Sequence, residues 1–111
     1  MRMRIFMWVV TGMAVLLCGS ASAQNKVSKN YNVSIRGAFI PSSVTINVGD
    51  SVTWRNTDDV NHTVTAIDGT FKSGTLKPED TFTWVFRAAG QEPYECMLVN
   101  RLRGVVIVNP N

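Results

Sequence analysis

His62 and Cys96 are the residues whose types could carry chemistry. His62 is the single histidine of the 111-residue chain, and Cys96 is one of two cysteines, the other being Cys18. Imidazole nitrogen and thiolate sulfur both bind soft or borderline metal ions, so together they make half of a soft-metal site. The same pair could act as a nucleophile and its base. The sequence identifies no third residue to orient the histidine and no oxyanion site, so an enzyme is not the expectation. Two ordinary roles stand beside the metal reading. A buried histidine can be satisfied by carbonyls and loop side chains, and a buried cysteine can be an inert small hydrophobe. Asp58 and Asp59 precede His62 in a polar loop. They are hard oxygen donors, poor partners for a cysteine site, and read as a solvated acidic turn.

Strands must position the pair. Tyr31, Val33 and Ile35 alternate with polar residues, as do Val44, Ile46 and Val48, then Val52 and Trp54. His62, Val64 and Ala66 continue this pattern, which predicts a strand with His62 facing inward at its start. Phe82, Trp84 and Phe86 share one face. Gly90 to Pro93 reads as a turn, Tyr94 and Cys96 share the next inward face, and Val105 to Val108 is apolar on both faces, as a central strand would be. Thr, Val and aromatic residues dominate these runs. No helical repeat is visible. The expectation is an all-β Greek-key β-sandwich of about seven to eight strands. His62 and Cys96 both lie at strand ends, where two inward side chains can meet at one pole.

The N-terminal residues belong to another process. Arg2 and Arg4, an apolar run from Ile5 to Leu17 and the Ala21-Ser22-Ala23 motif read as a signal peptide over 1–23. The mature domain is then 24–111, with no membrane span, and the periplasm is the expected location. Anchoring as a lipoprotein at Cys18 is the rival reading, disfavoured by the bulky Leu17 before it. Of eleven Lys+Arg, Arg2 and Arg4 leave with the leader, so nine face eight Asp+Glu. A near-neutral domain without a basic run gives no footprint for nucleic acid. Cleavage would leave Cys96 as the domain's one cysteine. In an oxidising compartment that calls for metal binding, a bridge between chains, or burial.

An ordered set of residues spans the expected domain. It comprises Phe39-x-Pro41, Val44-Thr45-Ile46-x-Val48-Gly49-Asp50-x-Val52-Thr53-Trp54-x-Asn56-x-Asp58, His62-Thr63-Val64, Phe71-x-Ser73-Gly74-x-Leu76-x-Pro78, Phe82, Phe86, Gly90, Tyr94-x-Cys96 and Arg103-Gly104. In this the chain resembles a cupredoxin of the plastocyanin, amicyanin and pseudoazurin kind. The resemblance implies a small copper site that shuttles one electron, held by two histidines and a cysteine in a plane with a weak axial methionine. It matches the first histidine to His62 and the cysteine to Cys96. The second histidine and the methionine fall at Val99 and Leu102. Cys96 to Gly104 keeps the amicyanin-like loop length, so a shift of alignment does not restore them.

Neither Val99 nor Leu102 has a donor atom, so the implied copper site is incomplete. Two ligands should hold Cu(II) poorly, whereas Cu(I) is softer and tolerates fewer. Met97 offers a thioether as a candidate third ligand, but strand alternation sends it to the opposite face unless the chain bends after Cys96. The expected function is that of an exported member of a copper-binding, electron-transfer family with at most weak or Cu(I)-type binding. The alternative is a metal-free periplasmic binding or interaction module on the same scaffold. A periplasmic redox or copper-handling protein is the expected partner, and Arg101 and Arg103 on the loop could steer an acidic one.

Overall fold

Side chains that alternate between core and solvent make strands with one dry face, and two such faces must cover each other. A computed structural model describes residues 27–98 and 102–111. The expected leader at 1–23 with Cys18, and the loop residues Val99 and Arg101, lie outside the described residues. Among the described residues the strands are β1 (Asn30–Ile35), β2 (Phe39–Ile40), β3 (Ser43–Asn47), β4 (Ser51–Asn56), β5 (Thr65–Ala66), β6 (Thr81–Val85), β7 (Gly90–Glu95) and β8 (Arg103–Asn109). They form two four-stranded sheets, ordered β2-β1-β4-β6 and β3-β8-β7-β5. This is the all-β sandwich expected from the sequence.

The chain passes repeatedly from one sheet to the other. β1 therefore pairs with β4 in parallel, and β3 pairs with β8 in parallel. Gly49, at φ 98°, makes the crossing between β3 and β4, a conformation that glycine adopts at little cost. The carboxylate of Asp50 braces the same turn, accepting the N–H of Asn47 at 3.0 Å and of Lys29 at 2.9 Å.

Inward residues of both sheets build the core. They include Val33 and Ile35, Val44 and Ile46, Val52 and Trp54, Tyr94, and Val106 and Val108. Trp54 is fully buried. Its ring centroid lies 5.2 Å from Tyr94, 5.7 Å from Phe71 and 5.8 Å from Phe82. β8 is central, as its two apolar faces imply, with β3 on one side and β7 on the other. Gly104 pairs with Tyr94 across the β7–β8 ladder. A Cβ at Gly104 would collide with the Tyr94 ring, so the aromatic ring lies over bare backbone.

Two expectations are corrected. Gly90 to Pro93 is the first part of β7 and not a turn. Pro93 pairs with Val105, whose N–H goes instead to Ser42 of the neighbouring strand region. Proline therefore sits where β8 asks no donor of it. The strand expected from His62 to Ala66 shrinks to β5, Thr65–Ala66. His62 makes only an isolated bridge to Leu76, with His62 N–H bonded to Leu76 O at 3.0 Å and Leu76 N–H to His62 O at 2.7 Å.

Candidate functional site

β7 delivers Cys96 one residue beyond its last paired position, and the His62–Leu76 bridge delivers His62 from the opposite side of the same pole. Both side chains point inward. His62 is 0% exposed and Cys96 is 2% exposed. His62 Nδ1 stands 3.5 Å from Cys96 Sγ. The sulfur also receives the backbone N–H groups of Thr63 at 3.4 Å and Leu98 at 3.5 Å. Two backbone N–H groups and one ring nitrogen therefore converge on this sulfur.

The outer nitrogen of the imidazole is held as well. His62 Nε2 lies 3.0 Å from Asp58 Oδ2. An ionised carboxylate only accepts, so Nε2 carries the hydrogen and Nδ1 is the nitrogen turned to the sulfur. The Asp58 side chain is only 21% exposed. Its carboxyl group is held down at about 2, first by His62 and then by the backbone N–H groups of Asp59 and Gly37. Burial pushes the His62 imidazole down, but hydrogen bonds to Asp58 and Cys96 outweigh it and leave the value raised. Asp58 is thus a positioning residue, which corrects its reading as a solvated turn. It also supplies the orienting third residue that the sequence did not reveal.

Asn56 explains how the loop brings Asp58 there. It is fully buried at the end of β4. Its Nδ2 donates to Val60 O at 2.8 Å and to Leu76 O at 2.9 Å, while its Oδ1 accepts Asp58 N–H at 2.9 Å. One amide therefore closes the loop over the bridge that carries His62. The signal in the sequence is Asn56-x-Asp58-x-x-x-His62, an amide ending an apolar strand just before a carboxylate and the histidine.

The other expected positions fall differently. Met97 is 63% exposed. The chain does bend at Met97 and Leu98, and Met97 N–H is tied to Thr63 Oγ1 at 2.8 Å, yet its side chain faces solvent rather than the buried pair. Leu102 is half-buried against the core, and its carbonyl accepts Cys96 N–H at 2.8 Å. Hydrocarbon therefore fills the place of the expected methionine. Val99 lies outside the described residues. Arg103 is exposed and 3.7 Å from Glu95.

In zinc sites, imidazole and thiolate ligands of one tetrahedral ion at about 2.0 and about 2.3 Å stand roughly 3.5 Å apart. The observed 3.5 Å separation of Nδ1 and Sγ fits two ligands of one ion. A carboxylate bonded to the far imidazole nitrogen is the usual companion of a ligating histidine. The donor count does not fit the planar copper centre with an axial ligand. Among the described residues no group of three or more His, Cys, Asp or Glu side chains could hold a metal ion.

No family model and no curated protein matches the chain. Solved structures do. A purple cupredoxin from Nitrosopumilus maritimus is 30% identical, with a TM-score of 0.68, over 71% of this chain and 99% of that one. This chain is a cupredoxin. An oxidised methionine-to-leucine variant of amicyanin is 29% identical, with a TM-score of 0.67, over 71% of this cupredoxin and 81% of that chain. A copper-containing nitrite reductase from Thermus scotoductus is 22% identical, with a TM-score of 0.67, over 72% of this chain and 22% of the reductase. That last likeness is one of fold. No described helix of this cupredoxin is long and apolar enough to cross a membrane.

Proposed function

We propose that this cupredoxin is an exported, non-enzymatic copper-handling protein that binds Cu(I) weakly through His62 Nδ1 and Cys96 Sγ and does not form a blue Cu(II) centre. The observation that carries this is the buried 3.5 Å approach of those two donors, with Asp58 fixing the far side of the ring. A soft monovalent ion accepts a thiolate and an imidazole without a full ligand plane, whereas Cu(II) with two protein donors is left open to water and to thiol oxidation. Bound copper would supply a soft one-electron centre, and this chain's residues would supply its two donors and its burial. The exposed Met97, next to Cys96 in sequence, is a further soft donor. The partner would be a periplasmic redox or copper-handling protein able to approach this pole.

A second reading is supported by a different observation. His62, Asp58, Thr63 and Cys96 already form a closed hydrogen-bond chain without any ion. On that reading the pole is a structural plug and the protein is a metal-free periplasmic binding or interaction module. Titration separates the two. Under reducing conditions with a competing Cu(I) chelator, the chain should take up one equivalent of Cu(I), and the Cys96→Ser variant should take up none. Added Cu(II) should give no intense visible band. Cu(I) uptake by the chain no greater than by Cys96→Ser would end the copper reading of this pole, and no uptake by either would leave the metal-free reading.

A further inference from the structure

A second site opens on the flank of the sandwich, away from the His62–Cys96 pole. A cleft of about 460 Å³ lies between β6 and β7, walled by Trp84 and Phe86, with Thr70, Arg87 and Glu92 around it. Its size is that of a small-molecule pocket. Glu92 and Cys96 lie on the same inward face of the chain, but four residues apart, about 13 Å along the strand. The cleft is therefore separate from the candidate metal pole.

The polar end of this cleft is unfinished. Glu92 is flanked in sequence by the exposed Gln91 and Pro93, and itself turns inward. Its Oε1 is buried and has no hydrogen-bond partner among the described residues. Burial, the charge of Asp68 and a hydrogen bond to Asp68 push the Glu92 carboxyl up. Asp68 is held low, first by its hydrogen bonds to Thr70, one of which is Thr70 N–H to Oδ1 at 2.9 Å. Glu92 Oε1 is thus left as a buried acceptor lacking a donor, beside the Asp68 carboxylate. A buried acceptor without a donor costs stability, and a ligand can supply what is missing.

We propose that this flank cleft binds a small organic ammonium ion, its N–H groups on Glu92 Oε1 and its apolar body against Trp84 and Phe86. The carboxyl pair carries net negative charge, which favours a cationic donor over a neutral one. Indole and phenyl faces favour an apolar body with a cation at its end. Arg87 lines the cleft but is exposed, so its guanidinium can stay in water while its stem covers the rim.

The test uses phenethylammonium and its neutral counterpart, 2-phenylethanol, followed by NMR of the isotope-labelled chain. Phenethylammonium should give saturable shifts at the Trp84 indole N–H and the Glu92 and Ala88 amides, with the buried Trp54 indole unmoved. Glu92→Leu removes the acceptor and should weaken binding by at least about tenfold, the cost of losing a hydrogen bond to a charged group. Trp84→Leu keeps the carboxyl group and should also weaken it, while Arg87→Ala should leave it intact. Dispersed spectra of each variant confirm folding. Equal binding of the alcohol, full binding by Glu92→Leu, loss of binding in Arg87→Ala, or no saturable shift at the cleft would each overturn the proposal.

Discussion

One carboxylate decides how the imidazole stands. Asp58 takes the outer nitrogen of His62 and so turns the inner one to Cys96. The acid and the histidine shift in opposite directions, and each sets one edge of a pH window. Asp58 is lowered to about 2 from 3.8, so its contribution is present above its unfolded value and is lost as pH falls toward 2. His62 is raised from 6.5, so its contribution is complete below 6.5 and is lost as pH rises through the folded value. Their contact therefore stabilises most between about pH 4 and pH 6.5. Asp58→Asn in the metal-free chain should lower the melting temperature most near pH 5, and less at pH 2 and pH 9. A melting-temperature difference that is flat with pH would count against the contact. The inward cysteine was legible because it continues the alternation of Tyr94 in β7, and the inward histidine was expected from an alternation that the structure keeps only at Thr65–Ala66. Asp58 was not, because its approach depends on Asn56 folding the loop back, and no periodicity encodes a side-chain amide closing a loop.

At the level of elements, the β7–β8 ladder carries the site, and its fit rests on Tyr94 lying over Gly104. Gly104→Ala places a Cβ inside the Tyr94 ring, an overpacking that should destabilise the fold by about 1–3 kcal/mol. Chemical denaturation measures this directly, and a neutral result would mean that the ring moves aside easily. The strand cores of β1, β3 and β4 could be read from the sequence because their apolar residues recur every second position, and β8 because its run is apolar on both faces. β7 was read too short, because Gly90 and Pro93 are turn residues by type. Here Pro93 faces a ladder position that needs no donor, which only the pairing with Val105 discloses. The segment from His62 to Ala66 was read too long, because its neighbour is the irregular stretch around Leu76 and not a strand.

Over the whole molecule, the scaffold is that of a cupredoxin, while the half-buried Leu102 stands where a donor was expected. The chain aligns with 99% of the purple cupredoxin and 81% of the amicyanin variant, so the frame is kept even where ligand types are not. If the loop from Cys96 to Gly104 retains that frame, Val99→His with Leu102→Met should yield an intense blue Cu(II) band. A folded double variant that stays colourless with copper would show that the loop no longer presents those positions to the pole. Fold and pole were legible because they rest on residues spread along the chain. The flank cleft was not, since it depends on Glu92 meeting Asp68 and Trp84 across a gap between strands that are not neighbours in either sheet.

X-ray absorption at the copper edge of the Cu(I)-loaded chain tests the central claim most directly. One sulfur and one imidazole nitrogen should coordinate the ion in the chain, with the sulfur lost in Cys96→Ser. Coordination by nitrogen and oxygen alone, unchanged in that variant, would contradict it.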